Sequence, residues 1–333
     1  MNEKIFSISN EEEFIEIALK VFIYQYENVP IYRKFCDLLG RDVKKIRDLK
    51  EIPFLPIELF KSETILDQLL DNNPSKSTDF DIVFSSSGTT GQIQSKHYVR
   101  SLSLYENSFL KTYQIFYGAP KDFVILALLP SYLQRDGSSL IYMVQKLINL
   151  GNQPESGFYL DDLTGLHNKI AQLEKQGRKT LLIGVTYALL DFIEKFPNSV
   201  FSNLTVMETG GMKGRRKEMI REELHNRLGK NLGSSAIHSE YGMTELLSQA
   251  YSSGEGIFKC PPWMHVLIRE MQDPRTFLPC QRTGGLNIID LANYHSCSFL
   301  ATQDLGKMHS DGSFEVLGRF DYSDIRGCNL LVQ

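Results

Sequence analysis

The feature that most constrains the fold is an uncharged apolar run of strand length at residues 123–129, which ends at Pro130. A continuous run of this kind is typical of a strand that is covered on both faces. Comparable runs at 180–185 and 204–207 stand next to segments with helical spacing. Because such strands and helices alternate along the chain, the sequence predicts an α/β fold with a mostly parallel sheet between helices.

The predicted sheet also indicates where a ligand would bind. In open parallel sheets, ligands occupy the loops that follow the carboxyl ends of the strands. We therefore expect the functional site to be built from four such loops, at residues 85–96, 130–137, 184–187 and 208–216.

Composition and charge exclude several classes of function. The 333-residue chain has a formal net charge of -4, which gives no electrostatic reason to bind nucleic acid. The run at 123–129 is too short to span a bilayer, and acidic residues follow Met1 where a signal peptide needs an apolar segment. The five cysteines form no Cys-x-x-Cys pair, which argues against a zinc site. We expect free thiols and a cytoplasmic protein.

One loop has the composition of an anion-binding site. Residues 85–91 follow a predicted strand at 80–84 and contain hydroxyl side chains and two glycines, with Lys96 beyond them. Glycines let successive N–H groups turn toward one phosphate, the hydroxyls donate to it, and the lysine adds a positive charge. The spacing does not fit a Walker loop, because no glycine directly precedes the lysine. A flexible Ser/Gly linker is the alternative, although linkers rarely carry a flanking strand and a lysine.

Two further motifs follow in order. Residues 239–245 read Ser-Glu-Tyr-Gly-Met-Thr-Glu, and residues 304–321 begin with Asp-Leu-Gly and end with Gly-Arg-Phe-Asp. Together with the loop at 85–91, they resemble the adenylate-forming superfamily of acyl-CoA synthetases, luciferases and peptide-synthetase adenylation domains. Within that superfamily the chain is most similar to the acyl-protein synthetases of the LuxE type, on the segments 52–57 and 325–331.

The resemblance implies a fold and a domain organisation. We expect one adenylating domain over 1–333, similar to the large N-terminal domain of the superfamily, with layered parallel sheets and helices. Its parts would be a helical N-terminal portion at 1–78, an α/β nucleotide-binding core at 79–249, and a small β-rich subdomain with an acceptor tail at 250–333. The superfamily's mobile C-terminal domain, which usually brings a lysine to the adenylation step, is expected to be absent.

The resemblance places a set of residues around the triphosphate of ATP. The loop residues that would hold its phosphates are Ser86, Ser87, Gly88, Thr89, Thr90 and Gly91. Lys96 belongs to the same group, although it lies farther from Gly91 than is usual in the superfamily. Thr244 would contact the α-phosphate, and Glu245 would hold Mg²⁺, a hard cation that suits one carboxylate plus phosphate oxygens. Without the family, Glu245 would be an ordinary glutamate in the first turn of a helix.

A second set would hold the nucleoside. The residues that resemble the superfamily's adenine site are Gly210, Gly211, Tyr241 and Gly242. Without the neighbouring motifs, the glycines at 210–214 are equally compatible with a turn that leaves a strand. Asp304 resembles the aspartate that accepts from both ribose hydroxyls, although Gln303 stands where glycine is common. Arg319 resembles the arginine that closes on the ribose or the α-phosphate.

The activity that the resemblance implies is ATP-dependent activation of a fatty or other carboxylic acid to acyl-AMP, with release of pyrophosphate. Cys328 resembles the cysteine that then receives the acyl group, and an acyl reductase or other acyl-accepting protein would be the partner. A thiolate is a strong nucleophile, so the residue type fits the task. Two alternatives stay open. The chain could be a truncated ligase that acylates CoA or a carrier protein, or a non-catalytic nucleotide-binding subunit.

Overall fold

The structure is a computed structural model that describes residues 1–68, 80–86, 93–129, 137–211, 216 and 219–320. The chain divides into two compact units. The first comprises Met1–Thr78 together with Pro262–Gln333, and the second is Asp79–Pro261. The second unit is therefore an insertion between the two chain segments of the first.

The elements in the described ranges are as follows. The helices are α1 (Asn2–Ile5), α2 (Glu11–Asn28), α3 (Pro30–Leu38), α4 (Leu102–Tyr117), α5 (Ser139–Gly151), α6 (Leu163–Lys175), α7 (Thr186–Lys195) and α8 (Arg221–Leu232). The strands are β1 (Leu55–Pro56), β2 (Ile82–Ser85), β3 (Lys96–Val99), β4 (Val124–Leu128), β5 (Gly157–Phe158), β6 (Thr180–Val185), β7 (Leu204–Thr209), β8 (His238–Tyr241), β9 (Ala250–Ser252), β10 (Ile257–Phe258), β11 (Met264–Arg269), β12 (Thr283–Asp290), β13 (Phe299–Met308) and β14 (Phe314–Arg319). Short 3-10 helices lie at Val43–Lys45, Leu49–Glu51, Ile57–Lys61, Pro120–Asp122 and Leu291–Asn293. None of the helices in these ranges combines the length and the apolar content that crossing a membrane requires.

The second unit is built on a sheet whose strands follow the order β5-β4-β6-β7-β8-β9. Neighbouring strands are parallel from β5 to β8, and β9 joins the edge in the antiparallel direction. Every residue of β4 and of β6 is buried, as expected for strands that are covered on both faces. The prediction of an α/β fold with a mostly parallel sheet is confirmed.

A two-stranded hairpin lies apart from this sheet in the second unit. Strands β2 and β3 are antiparallel, and Ser85 opposite Lys96 is the last pair before the connecting loop. Lys96 therefore starts a strand, which the sequence did not indicate. The hairpin is also held from outside, because the Ser85 N–H donates to the Gly137 carbonyl at 2.8 Å. Gly137 has a φ of +87°, and a Cβ added there would stand 2.8 Å from Ser85 Oγ, so this contact requires glycine.

The first unit combines helices with an antiparallel sheet. Strands β11, β12, β13 and β14 pair in that order, and the short β1 pairs in parallel with β13. Helix α2 begins at an N-cap, since the Asn10 side chain accepts from the Glu13 N–H at 2.9 Å. The apolar face that follows buries Phe14, Val21 and Phe22. The strands after residue 250 agree with the expected β-rich character of this part of the chain.

Helix α8 has no counterpart in the sequence-based prediction. Polar and charged residues fill most of its positions, and its buried side chains are Leu224, Leu228 and Leu232. One apolar residue in every four gives a narrower stripe than most surface helices carry. The segment therefore has the composition of a solvated loop, and packing against α7 supports the helix instead of a broad apolar face.

Candidate active site

The predicted site residues within 210–211 and 241–245 lie where parallel strands end. Strands β6, β7 and β8 end at Val185, Thr209 and Tyr241, and parallel neighbours share one carboxyl edge. The Thr186 hydroxyl donates a hydrogen bond to the Gly210 carbonyl. This bond joins the loop after β6 to the loop after β7. The structure thus brings the loops at 184–187 and 208–211 to the same edge as the segment 241–245. This edge is where ligands bind in open parallel sheets.

Gly210 and Gly211, which follow β7, leave the backbone uncovered by side chains. Gly210 has a φ of +70°, in the left-handed region that favours glycine. A Cβ added at Gly211 would meet no heavy atom within 4 Å, so open space lies on that side of the chain. A flat base needs a stretch of peptide with no side chain in the way, and these two residues provide one.

A buried carboxyl group joins the two strands next to this edge. Glu240 on β8 is 8% exposed and accepts a hydrogen bond from the Thr209 hydroxyl at the end of β7. A Cβ added at Gly242 would stand 2.4 Å from Glu240 Oε1, so glycine makes room for the carboxyl. Burial raises the pKa of Glu240 to about 7; the Thr209 hydroxyl opposes this shift, and the Glu208 carboxylate adds to it. Sequence reasoning missed Glu240, because no pattern distinguishes a buried glutamate from a solvated one.

The stability of the protein is expected to depend on the ionisation of Glu240. Its folded-state pKa of about 7 lies above the ordinary value of 4.5, so the folded chain binds this proton more tightly than the unfolded chain. The resulting stability is fully present below the ordinary pKa and is lost as the pH rises through the folded-state pKa. Glu240→Gln keeps an acceptor for Thr209 but cannot ionise. Its stability relative to the parent should therefore rise between about pH 5 and about pH 8, by at most about 1.4 kcal/mol per pH unit.

Thermal midpoints of both proteins across this pH range measure the effect. Glu222→Gln, at an exposed position in the first turn of α8, is the matched control and should follow the parent at every pH. Parallel curves for Glu240→Gln and the parent would show that burial does not perturb this carboxyl.

A second polar group lies on the other face of β7. Glu208 is 5% exposed, and Arg221 Nε and His225 Nε2 of α8 lie 3.5 and 3.7 Å from its Oε1. The Thr186 hydroxyl lies 3.4 Å from Oε2 of the same carboxylate. These contacts fix helix α8 to β7, the strand that precedes Gly210 and Gly211. These residues were also absent from the sequence-based site.

The segment after β8 is held by a histidine of the hairpin. His97 on β3 is fully buried, and its Nδ1 donates to the Thr244 carbonyl at 2.8 Å. Glu245 follows and is 7% exposed, and Tyr241 packs edge-on against Phe258 with ring centroids 5.9 Å apart. Thr244 and Glu245 are therefore placed by a contact with the strand that begins at Lys96. The sequence motifs alone give His97 no role, and the structure identifies it as a support for the Thr244 carbonyl.

The base of the predicted phosphate loop is closed by two hydrogen bonds. The Ser86 N–H donates to the Ser95 carbonyl at 3.0 Å, and the Ser95 N–H donates to Ser86 Oγ at 2.9 Å. Lys96 follows with an exposed side chain. The remaining predicted members of this loop lie outside the described residues, and they are Ser87, Gly88, Thr89, Thr90 and Gly91. The described part therefore shows how the loop is anchored at both ends.

In the first unit, the two residues predicted at the ribose contact each other. Asp304 on β13 and Arg319 on β14 are direct partners in the antiparallel ladder, and Arg319 Nε donates to Asp304 Oδ1 at 3.1 Å. The Asp304 side chain is 9% exposed, whereas the Arg319 side chain is 76% exposed. The carboxylate is thus fixed at the surface of the sheet, and the guanidinium extends from it into solvent. Cys328 lies outside the described residues.

Thr244 and Glu245 could hold Mg²⁺ only if a bound substrate supplied most of the ligands of the ion. Within the described ranges, no group of three or more His, Cys, Asp or Glu residues is arranged to hold a metal ion. Glu245 and the neighbouring Thr244 offer hard oxygen donors, which Mg²⁺ prefers, and the ion commonly takes one or two carboxylates plus phosphates. These two residues therefore fit a metal that arrives with a nucleotide.

Comparison with solved structures identifies the fold. ATP-bound MatB from Rhodopseudomonas palustris has a TM-score of 0.56 and 17% identity, over 73% of this chain and 48% of that one, so the chain spans about half the length of MatB. 2-Hydroxyisobutyryl-CoA ligase in complex with 2-HIB-AMP has a TM-score of 0.67 and 12% identity, over 93% of this chain and 68% of that one. At these identities the likeness establishes the fold, which is that of the adenylate-forming enzymes.

Sequence comparison identifies the family. The family model for acyl-protein synthetase, LuxE, matches residues 4–333, and the chain belongs to this family. A curated relative from Vibrio harveyi, the long-chain-fatty-acid–luciferin-component ligase, is 24% identical over 349 aligned positions that cover 97% of this chain and 88% of that protein. The prediction of an AMP-forming acyl-protein synthetase, made from three motifs in order together with the segments 52–57 and 325–331, is confirmed.

Proposed function

We propose that this enzyme activates a fatty acid with ATP and Mg²⁺. A carboxylate oxygen of the acid attacks the α-phosphorus of ATP, the bond to the bridging β-phosphate oxygen breaks, and acyl-AMP and pyrophosphate form. The observation that carries the proposal is the position of residues 210–211 and 241–245, which follow adjacent parallel strands at one edge of the sheet. The choice of a fatty acid rests on the curated relative, whose name specifies a long-chain fatty acid.

The phosphates and the metal are assigned to the second unit. The residues proposed to hold the β- and γ-phosphates are Ser86, Ser87, Gly88, Thr89, Thr90, Gly91 and Lys96. Thr244 would donate to the α-phosphate, and Glu245 would ligate Mg²⁺, which neutralises phosphate charge when bound. The buried contact of His97 with the Thr244 carbonyl supports this assignment, because it fixes the segment before any ligand binds. Such preorganisation is the main source of charge stabilisation in active sites.

The nucleoside is assigned to a second set of residues. Gly210, Gly211, Tyr241 and Gly242 are proposed to contact the adenine. Asp304 would accept from the ribose hydroxyls, and Arg319 would donate to the ribose or the α-phosphate. The ladder contact between the last two residues supports the assignment, because a carboxylate already oriented by a guanidinium needs little reorganisation to bind a diol.

This function predicts that the nucleotide product is AMP. Incubation with ATP, Mg²⁺ and a long-chain fatty acid should release pyrophosphate and AMP in equal amounts, because attack occurs at the α-phosphorus. Chromatography of the nucleotides and a pyrophosphate assay measure this result. The fatty alcohol of the same length lacks the attacking carboxylate and is the matched control, which should release neither product. Release of ADP and phosphate alone would contradict the proposal.

The second half of the reaction is assigned to Cys328. Its thiolate would attack the acyl carbonyl, the bond to the phosphate oxygen would break, and AMP would leave as the thioester forms. A thioester keeps the acyl group reactive enough for an acyl reductase or another acyl-accepting protein to take it over. CoA and a carrier protein are the alternative acceptors. We further propose that the chain acts as one adenylating domain, in the cytoplasm, where its cysteines would stay reduced.

A further inference from the structure

We propose that Arg269 is a positioning residue for Asp304, and that it holds the irregular backbone from which this carboxylate projects. The inference rests on the proposed role of Asp304 at the ribose. Arg269 lies at the end of β11 and is 2% exposed. Burying a guanidinium destabilises the folded protein unless its N–H groups donate hydrogen bonds. The acceptors of those hydrogen bonds therefore indicate the structural role of Arg269.

The backbone around Asp304 departs from regular pairing on both sides. Between β12 and β13, Gly285 pairs with Leu305 and Asn287 pairs with Ala301, so residues 302–304 stand opposite a single residue. Between β13 and β14, the register also shifts, directly after Leu305. Such bulges change the direction of side chains, and they leave backbone N–H and C=O groups without inter-strand hydrogen bonds. Where these groups are buried, they need hydrogen bonds to other groups.

Arg269 supplies these partners. Its guanidinium donates to the Leu286 carbonyl at 2.9 Å, to Asn287 Oδ1 at 2.8 Å, and to the Thr302 carbonyl. Leu286 is the residue that faces the bulge, and Thr302 is the first residue within it. A Cβ added at Gly285 would stand 2.5 Å from Arg269 Cζ, so glycine leaves the space that the guanidinium fills. Only a planar fork with several donors can reach these three acceptors together.

The hydrogen bonds continue from Arg269 to Asp304 itself. Thr302 Oγ1 donates to the Leu286 carbonyl at 2.9 Å and accepts from the Asp304 N–H at 3.1 Å. Directly after β14, the Phe320 ring lies against the guanidinium, with Arg269 Cζ 5.3 Å from its centroid. Arg269 thus contacts the residue two before Asp304 and the residue after Arg319, and so it supports both members of the pair.

The test uses nucleotides that lack ribose hydroxyls. Pyrophosphate exchange is measured with ATP, 2′-deoxyATP and 3′-deoxyATP for the parent, Asp304→Asn, Arg269→Met and the double variant. A carboxylate that accepts from the hydroxyls makes the parent prefer ATP, because the deoxy analogues leave it unpaired. Arg269→Met should lower kcat/KM for ATP about tenfold or more while changing the deoxyATP values little, so the preference collapses. In the double variant, the two effects should not add.

Controls separate positioning from a general loss of stability. Arg275→Met removes an exposed guanidinium of the same unit and should retain the parent's preference for ATP. Arg269→Lys keeps a positive charge but cannot make the three contacts, so it should behave like Arg269→Met. If both Arg269 variants fail to fold, Thr302→Val removes the hydroxyl that holds the Asp304 N–H, and it carries the same expectation.

The outcomes distinguish this inference from the proposed function. If Asp304→Asn still prefers ATP to the deoxy nucleotides, the ribose assignment of Asp304 is wrong, and the inference is wrong with it. If Asp304→Asn loses the preference and folded Arg269→Met keeps it, the ribose assignment stands, and the role of Arg269 as a positioning residue is overturned. A uniform loss with all three nucleotides would also overturn it, because a merely structural defect has that effect.

Discussion

Replacing Glu245 with glutamine is expected to slow ATP–pyrophosphate exchange by roughly 100-fold or more, the scale on which loss of one preorganised charge contact acts. Glu245 is 7% exposed and follows Thr244, whose carbonyl is fixed by His97. The substitution preserves shape and removes the negative charge from a site where one carboxylate would hold a divalent cation. Chemistry at the α-phosphorus depends on neutralising phosphate charge, so the rate should fall although the fold is retained.

The dependence on Mg²⁺ makes this prediction specific. If Glu245 ligates the ion, Glu245→Gln should need a higher Mg²⁺ concentration for half-maximal exchange, because an amide is a weaker ligand than a carboxylate. Glu222→Gln, at an exposed position of the same unit, should leave both the rate and the Mg²⁺ dependence unchanged. Exchange by Glu245→Gln at the parent's rate would show that the metal is held elsewhere.

Replacing Cys328 with alanine is expected to abolish acyl-enzyme formation without stopping adenylation. Thiolate attack on acyl-AMP is the step that needs the sulfur, whereas attack on ATP needs the nucleotide-binding residues alone. With labelled fatty acid and ATP, the parent should carry a hydroxylamine-labile label. Cys328→Ala should carry none, although it exchanges pyrophosphate at a rate within about twofold of the parent, as a residue used only after adenylation should.

Two other cysteines provide the matched controls. Cys280 is exposed and Cys260 is partly exposed, so both are open to non-specific acylation. Cys260→Ala and Cys280→Ala should label as the parent does. If Cys328→Ala retains the label, one of these thiols or a serine is the acceptor. If no variant carries it, and the parent does not either, CoA or a carrier protein becomes the acceptor to test.

Buried strands could be predicted from the sequence, because their apolar composition favours one structure. Strand β6 has the predicted bounds, Thr180–Val185, because a short run rich in apolar residues next to a helical segment points to a buried strand. Helix α8 and strand β3 were not predicted. The former carries too narrow an apolar stripe, and the latter begins within a segment that composition assigned to the phosphate loop.

In the candidate site, some residues were predicted from sequence motifs, whereas the residues that support them were not. Asp304 and Arg319 were predicted through resemblance, and their contact with each other follows from the antiparallel pairing of β13 and β14. The residues that support them were not predictable, because their partners are distant in sequence. The hydrogen-bond acceptors of Arg269 lie 17 to 33 positions away, and from sequence alone an arginine on a strand is expected at the surface. Glu240 likewise owes its raised pKa to burial, which no local pattern reveals.

The space shared by Gly242 and Glu240 has a consequence for redesign of this segment. A methyl group at position 242 would stand 2.4 Å from Glu240 Oε1, so the carboxyl would have to move. That movement would disturb the hydrogen bond that Glu240 accepts from the Thr209 hydroxyl, and this bond joins β8 to β7. A side chain introduced at 242 therefore acts on the contact between two strands as well as on its own position. Designs that alter residue 242 have to treat residues 209, 240 and 242 as one unit.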